Sequence, residues 1–321
     1  MRGILAAVVF LLCGATALAE NPPDLSFVLA AKGGQTKFRM GEPILLELQF
    51  NSITPGLYEL HNQPNIFISN FSTNPSDGVF PLPQRIGPGC CGGVGPPTPL
   101  GGKPAIILRE LNTWLAFRTP GHYSITADYN GITLVTGKII PKDNQLITVR
   151  SSALEIEIVN DPEWSQRELY KYVAVIEAPK TGGRSRSSTD SDGPNAAHSL
   201  GLLDTRESAM AIVSIYSRNI DPELRTHLDT GLRRSPYPKE VVAAMENALE
   251  APDTPITGSF LDTLSYLMAV TTSTTPDFAR SYLAVHEYLA RAIPNKHGDA
   301  LTVSRETLEA YDKSVRSRAN R

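Results

Sequence analysis

The sequence predicts an α+β chain in two segregated domains: an antiparallel β-sandwich followed by an all-α helical repeat or bundle. Three observations carry this. Short runs that alternate apolar and polar residues, separated by turn signals, fill residues 20–160. At Asp161 the period changes to that of a helix and stays helical to the end, apart from a polar stretch at 180–196. The helical segments are short and joined by proline-containing turns, the pattern of antiparallel helix pairs stacked side by side.

The first nineteen residues read as a secretory signal. Arg2 supplies a positive start, Ile4 to Leu12 an apolar run, and Ala17-Leu18-Ala19 a small-residue cleavage site. The run is too short for a membrane span, and no later run is long enough. The expectation is an exported protein, periplasmic or extracellular, with no integral membrane segment after signal removal. The whole chain carries 30 Lys and Arg against 33 Asp and Glu, a net of −3. That balance gives no basic footprint for nucleic acid.

Residues 20–160 hold several strand patterns. "FRMGEPILLELQFNS" turns at Gly41-Glu42-Pro43 and then alternates Ile44, Leu46, Leu48 and Phe50 on one face. "HNQPNIFISNFS" gives a second strand through Ile66 and Ile68. In "NTWLAFRTPGHYSITADYNG", Trp114 and Phe117 precede a Pro120-Gly121 turn, and Tyr123, Ile125 and Ala127 alternate. Asn130-Gly131 then reads as a hairpin turn. "SSALEIEIVN" closes the region, with Leu154, Ile156 and Ile158 opposite Glu155 and Glu157. Trp114 is expected in the core.

Residues 161–197 are read as a connecting helix and polar linker, and 198–321 as the helical domain. "DPEW" at 161–164 places Asp161 as N-cap with Pro162 in the first turn, and "DPEL" at 221–224 repeats the device. Trp164 is expected to pack the two domains together. Asp204 with Glu207 resembles a capping box. Val242, Met245 and Leu249 form the apolar face of a further helix.

"FRMGEPILLEL" followed by "LNTWLAFRTPGHYSI" is similar to the immunoglobulin-like domain of a group of uncharacterised exported bacterial proteins. In that group the β-domain precedes helical repeats resembling HEAT repeats. "SPYPKEVVAAMENALEAPDTPITGSFLDTLSYL" looks like one such repeat. The resemblance implies an immunoglobulin-like sandwich and a HEAT-like helical domain, and it implies no catalytic residue.

The sequence carries little catalytic signal. "HEYLAR" at His286 lacks the second histidine that a zinc-protease helix needs, because Ala290 stands there, and His297 lies beyond Pro294. His286 and Glu287 are therefore expected on the solvent side of their helix. His61, His122, His198 and His227 show no ligand spacing. There is no nucleophile elbow, Walker loop or dinucleotide fingerprint. No catalytic residue, metal ligand or cofactor site is assigned.

The remaining feature is "GPGCCGGVGPP" at 87–97. Two thiolates alone do not make a metal site, and C-x-x-C spacing is absent. Adjacent Cα atoms lie about 3.8 Å apart across a trans peptide, so a Cys90–Cys91 bond needs a distorted backbone. Gly89, Gly92 and Gly93 supply that freedom. The expectation is a vicinal disulfide shaping an exposed loop, with Gly89 to Gly93 as a candidate binding loop; intermolecular pairing is the other open reading. Together these features predict a non-enzymatic binding or scaffold protein of the cell envelope. It would engage a protein or glycan partner through β-domain loops and helical surface. The alternative is an exported hydrolase whose site assembles only in three dimensions.

Overall fold

The structure, a computed structural model, describes residues 21–62, 68–82, 96–135, 146–178, 192–218, 221–272 and 276–319. The N-terminal part is built of strands and the C-terminal part of helices. The first sheet holds β1 (Leu25–Ala31), β3 (Leu45–Ser52) and β8 (Ala105–Glu110), all antiparallel in the order β1-β3-β8. The second is organised on the long strand β10 (Gly121–Leu134). One edge of β10 pairs with β12 (Leu154–Val159) and then β11 (Leu146–Arg150). Its other edge pairs with β5 (Ile68–Asn74) and then β4 (Tyr58–Leu60). β2 (Lys37–Arg39) adds in parallel to β12, and β7 (Thr98–Pro99) adds to β4. β6 (Val79–Pro81) and β9 (Leu115–Phe117) form a separate pair.

The alternation read in the sequence decides what is buried. Leu46, Leu48 and Phe50 of β3, with Ile44 just before it, face one core, joined by Tyr123, Ile125 and Ala127 of β10 and Ile156 and Ile158 of β12. Phe27 and Phe50 are register partners and stack at 4.4 Å, and Phe50 meets Tyr129 of the other sheet at 4.8 Å. Each such ring removed from water contributes about 1.5–3 kcal/mol. Trp114 is buried edge-on to Phe71, as expected of a core residue.

Asn130-Gly131 departs from the sequence expectation. β10 runs straight through the dipeptide instead of turning. Tyr129 pairs with Val149 and Ile132 with Ile147, so three steps of β10 oppose two of β11. The extra residue is a bulge, and the Gly131 carbonyl accepts the His61 N–H at 2.8 Å. Pairing on both edges of β10 outweighs the local turn preference.

Eight described helices follow: α1 (Pro162–Glu177), α2 (Asp192–Leu202), α3 (Arg206–Arg218), α4 (Pro222–Arg234), α5 (Pro238–Glu250), α6 (Gly258–Thr272), α7 (Phe278–Ala292) and α8 (Gly298–Ala319). α2 begins inside the stretch read as polar linker. Asp161 and Asp221 cap α1 and α4 as expected, accepting from Trp164 N and from Glu223 N and Leu224 N. The predicted Asp204–Glu207 box is displaced by one residue. Thr205 and Ser208 exchange backbone N–H and hydroxyl at 3.1 Å each, while Asp204 takes a left-handed φ of 51°. The buried face of α5 is Val241, Met245 and Leu249, with Val242 only half-buried. Helices pack against the next in sequence and against the next but one, as in α2 with α4 and α4 with α6. No described helix is long and apolar enough to cross a membrane.

Candidate functional site

The loop Gly89, Cys90, Cys91, Gly92, Gly93 lies outside the described residues, as does the N-terminal segment 1–20. The scattered histidines are described. His122 stands on the outer side of β10 rather than in a turn. His61 Nε2 is 2.9 Å from Thr133 Oγ1, but Thr133 is 1% exposed and out of reach of any substrate. His198 of α2 meets Glu110 of β8 at 2.8 Å, and its ring is edge-on to His227 of α4 at 5.8 Å. The fold thus joins residues far apart in sequence, at the contact between the strand and helix regions. Burial, and then the neighbouring His198, hold the His227 imidazole below its usual pKa, against the pull of Glu223.

His286 overturns its expectation. It is buried, with Tyr311 stacked on it at 3.4 Å and Tyr282 tilted against it at 4.4 Å. Val285, Leu289 and Ala292 form the buried stripe of α7, and α8 brings Tyr311 over the neighbouring position. Neither ring nitrogen has a hydrogen-bond partner among the described residues, and burial lowers the imidazole pKa to about 4. Among the described residues no group of three or more His, Cys, Asp or Glu is placed to hold a metal.

Besides the Glu110–His198 contact, the two regions are tied at three further places among the described residues. Arg39 Nε donates to Asp161 Oδ2 at 2.9 Å while its guanidinium lies 5.6 Å from the Trp164 ring centroid. Trp164 therefore sits where the regions meet, as the sequence suggested. The Trp164 N–H and Arg39 together hold the Asp161 carboxyl below the usual carboxylate range. At the second place, Gly41 (φ +82°) touches the end of α2. A Cβ there would stand 2.7 Å from Leu203 Cα, so only glycine allows the approach. At the third, Arg234 reaches the β region from the end of α4.

These ties leave the outer face of the β1-β3-β8 sheet exposed. Inward positions are apolar, as the alternation requires, but several outward positions are apolar too. Ile106 is 54% exposed, Leu108 50%, Val28 42% and Leu45 40%. The register sets Val28, Gln49 and Ile106 in one row and Ala30, Glu47 and Leu108 in the next, with Leu45 opposite Glu110. Gln49 and Glu47 hydrogen-bond each other at 3.0 Å between the apolar groups. Among the described residues β8 pairs with β3 alone, so its far edge ends the sheet. The Glu110–His198 contact closes one end of the face. The sequence did carry a signal for this surface. The run Ile106-Ile107-Leu108 is apolar on both sides of a strand, whereas a strand with one wet face alternates. No protein-family model matches the chain, and no curated protein matches it.

Proposed function

We propose that the chain is a non-enzymatic, exported binding or scaffold protein of the cell envelope, which holds a protein partner on the outer face of the β1-β3-β8 sheet. The observation that carries this is the group of four exposed apolar side chains, Val28, Leu45, Ile106 and Leu108, beside a sheet edge. Isolated exposed apolar residues need no explanation, but four on one sheet face, set around the Glu47–Gln49 pair and beside an open edge, have the character of an interaction surface. An edge strand adds backbone donors and acceptors that an extended partner segment can pair with. The partner chemistry is accordingly an extended, apolar peptide segment.

We read the strand region as an immunoglobulin-like sandwich, supported by two sheets that share the Phe27–Phe50–Tyr129 core. The helical region is read as HEAT-like, supported by the packing of α2, α3, α4 and α5 each on the next two helices. Both readings agree with the resemblance to exported proteins of that layout, and export rests on the signal-like N-terminus. The test uses a photo-crosslinking residue at Ile106 in the full exported chain, with the same residue at exposed Lys37 as control. Capture of one extended-segment partner from Ile106, and not from Lys37, supports the reading. Equal capture from both positions, or none from Ile106, overturns it.

A further inference from the structure

A groove of about 350 Å³ runs between α4 and the first turns of α6. Helical spacing brings Arg225, Thr226, Asp229 and Arg233 onto one stripe of α4, and Ser259 and Asp262 onto one face of α6. The base is fixed from beneath. Buried Arg225 donates Nε–H to Ser259 Oγ at 3.0 Å and Nη1–H to the Tyr216 carbonyl at 2.8 Å, with its guanidinium 4.0 Å over the Tyr216 ring. Asp229, also buried, accepts from Arg233 Nε at 2.6 Å and from the Thr263 hydroxyl. Arg233 in turn lies 4.6 Å from the Tyr266 ring centroid. Groups held this way lose little freedom when a ligand arrives, the condition for a preorganised site.

The groove also has polar groups to offer a ligand. Among the described residues the Asp262 carboxylate makes no hydrogen bond, and Arg233 uses only its Nε. The Thr226 hydroxyl donates to the Pro222 carbonyl at 2.9 Å, which leaves its oxygen free to accept. Two guanidinium groups are balanced by two carboxylates, so the local field favours neither an anion nor a cation. An anionic ligand would meet Asp229 and Asp262, and an amine would meet Arg225 and Arg233. Vicinal hydroxyls avoid both conflicts, because each hydroxyl donates to a carboxylate and accepts from a guanidinium at once. Desolvation in the groove raises the Asp262 carboxyl above its ordinary value, with Arg233 opposing and Asp229 adding to it. We propose that the α4–α6 groove is a binding site for an uncharged saccharide unit. Its volume stands at the low end of the roughly 300–1,000 Å³ typical of small-molecule sites, a fit to a small sugar.

The groove uses none of the sheet-face residues, so the two proposals fail separately. Saturation-transfer NMR on the full mature chain tests it, with methyl glucoside, methyl galactoside and N-acetylglucosamine as uncharged probes. Glucuronate and glucosamine serve as charged counterparts. At least one uncharged probe should bind, more tightly than either charged one. Asp262→Ala and Thr226→Val, both at exposed positions, should each weaken it, Asp262→Ala by about tenfold or more. Ile106→Glu should leave it unchanged. Failure of every uncharged probe, preference for a charged one, or full binding by Asp262→Ala would overturn the proposal.

Discussion

Arg234, in the last turn of α4, donates Nη1–H to the Asn112 carbonyl at 2.9 Å across 122 residues of chain. Arg118 of the β region returns the contact, donating Nη2–H to the Arg234 carbonyl at 3.0 Å. The Asn112 side chain meanwhile holds its own turn, accepting from Ile44 N and donating to the Glu42 carbonyl. Beneath Arg234 lies the Asp204 carboxyl, 3.4 Å away. Burial pushes that carboxyl above its usual pKa, and Arg234, then Arg118, pull it back.

Removing Arg234 leaves a buried carboxyl without its nearest cation. Arg234→Ala should destabilise the chain by about 3–5 kcal/mol, read as a lowered midpoint in urea unfolding. Adding Asp204→Asn should recover part of the loss, since the uncompensated charge then disappears. A loss within about 1 kcal/mol, the scale of an exposed ion pair, would show that the junction is not held here.

α2 and α4 cross on a pair of glycines. A Cβ on Gly201 would stand 2.9 Å from Gly231 Cα, and the reverse distance is also 2.9 Å. Glycine to alanine inside a helix ordinarily gains about 1 kcal/mol. Here the obstruction is backbone, which cannot rotate away, so overpacking of about 1–3 kcal/mol or more dominates. Gly231→Ala should therefore lower the thermal midpoint; a rise would mean the helices part freely.

His286 makes stability fall in acid. Its pKa is about 4 in the folded chain against the ordinary 6.5, so the unfolded state binds the proton more readily between those values. The neutral form is fully stabilising above about pH 6.5, and the benefit is lost as pH falls towards 4. The penalty is on the order of 3 kcal/mol. His286→Phe keeps the stacking on Tyr311 and should flatten stability between pH 6.5 and 4; an unchanged slope there would refute the assignment.

Neighbouring residues of β8 should behave oppositely. Ile107 is buried and Ile106 exposed. Ile107→Ala should cost about 2–5 kcal/mol, whereas Ile106→Glu should stay within about 0.5 kcal/mol and abolish partner capture. Equal stability losses at both positions would mean that the outer face is covered by the chain itself.

The loop outside the described residues has its own check. Thiol titration of the unreduced mature chain should find no free sulfhydryl at Cys90 and Cys91, and two would remove the vicinal disulfide. One bridging cysteine per chain, seen as a covalent dimer, would favour intermolecular pairing instead.

The sequence by itself determined what neighbours within a few residues decide. Alternation set the inward faces of β3, β10 and β12, and the switch at Asp161 set where strands give way to helices. Asp161 and Asp221 were legible as caps because a cap is a contact of two or three residues. Tertiary structure decided wherever a local preference met a distant partner. Two strand neighbours kept Asn130-Gly131 extended, Arg234 claimed Asp204 away from its expected cap, and Tyr311 covered His286. The Ile106-Ile107-Leu108 run hinted at the bare outer face, but the α4–α6 groove was hidden for the same reason. The Arg225–Ser259 contact spans 34 residues, and no periodicity reports which helix faces converge. Sequence patterns specify which side of an element seeks burial; only packing specifies what meets that side, and which apolar or charged groups are left for a partner.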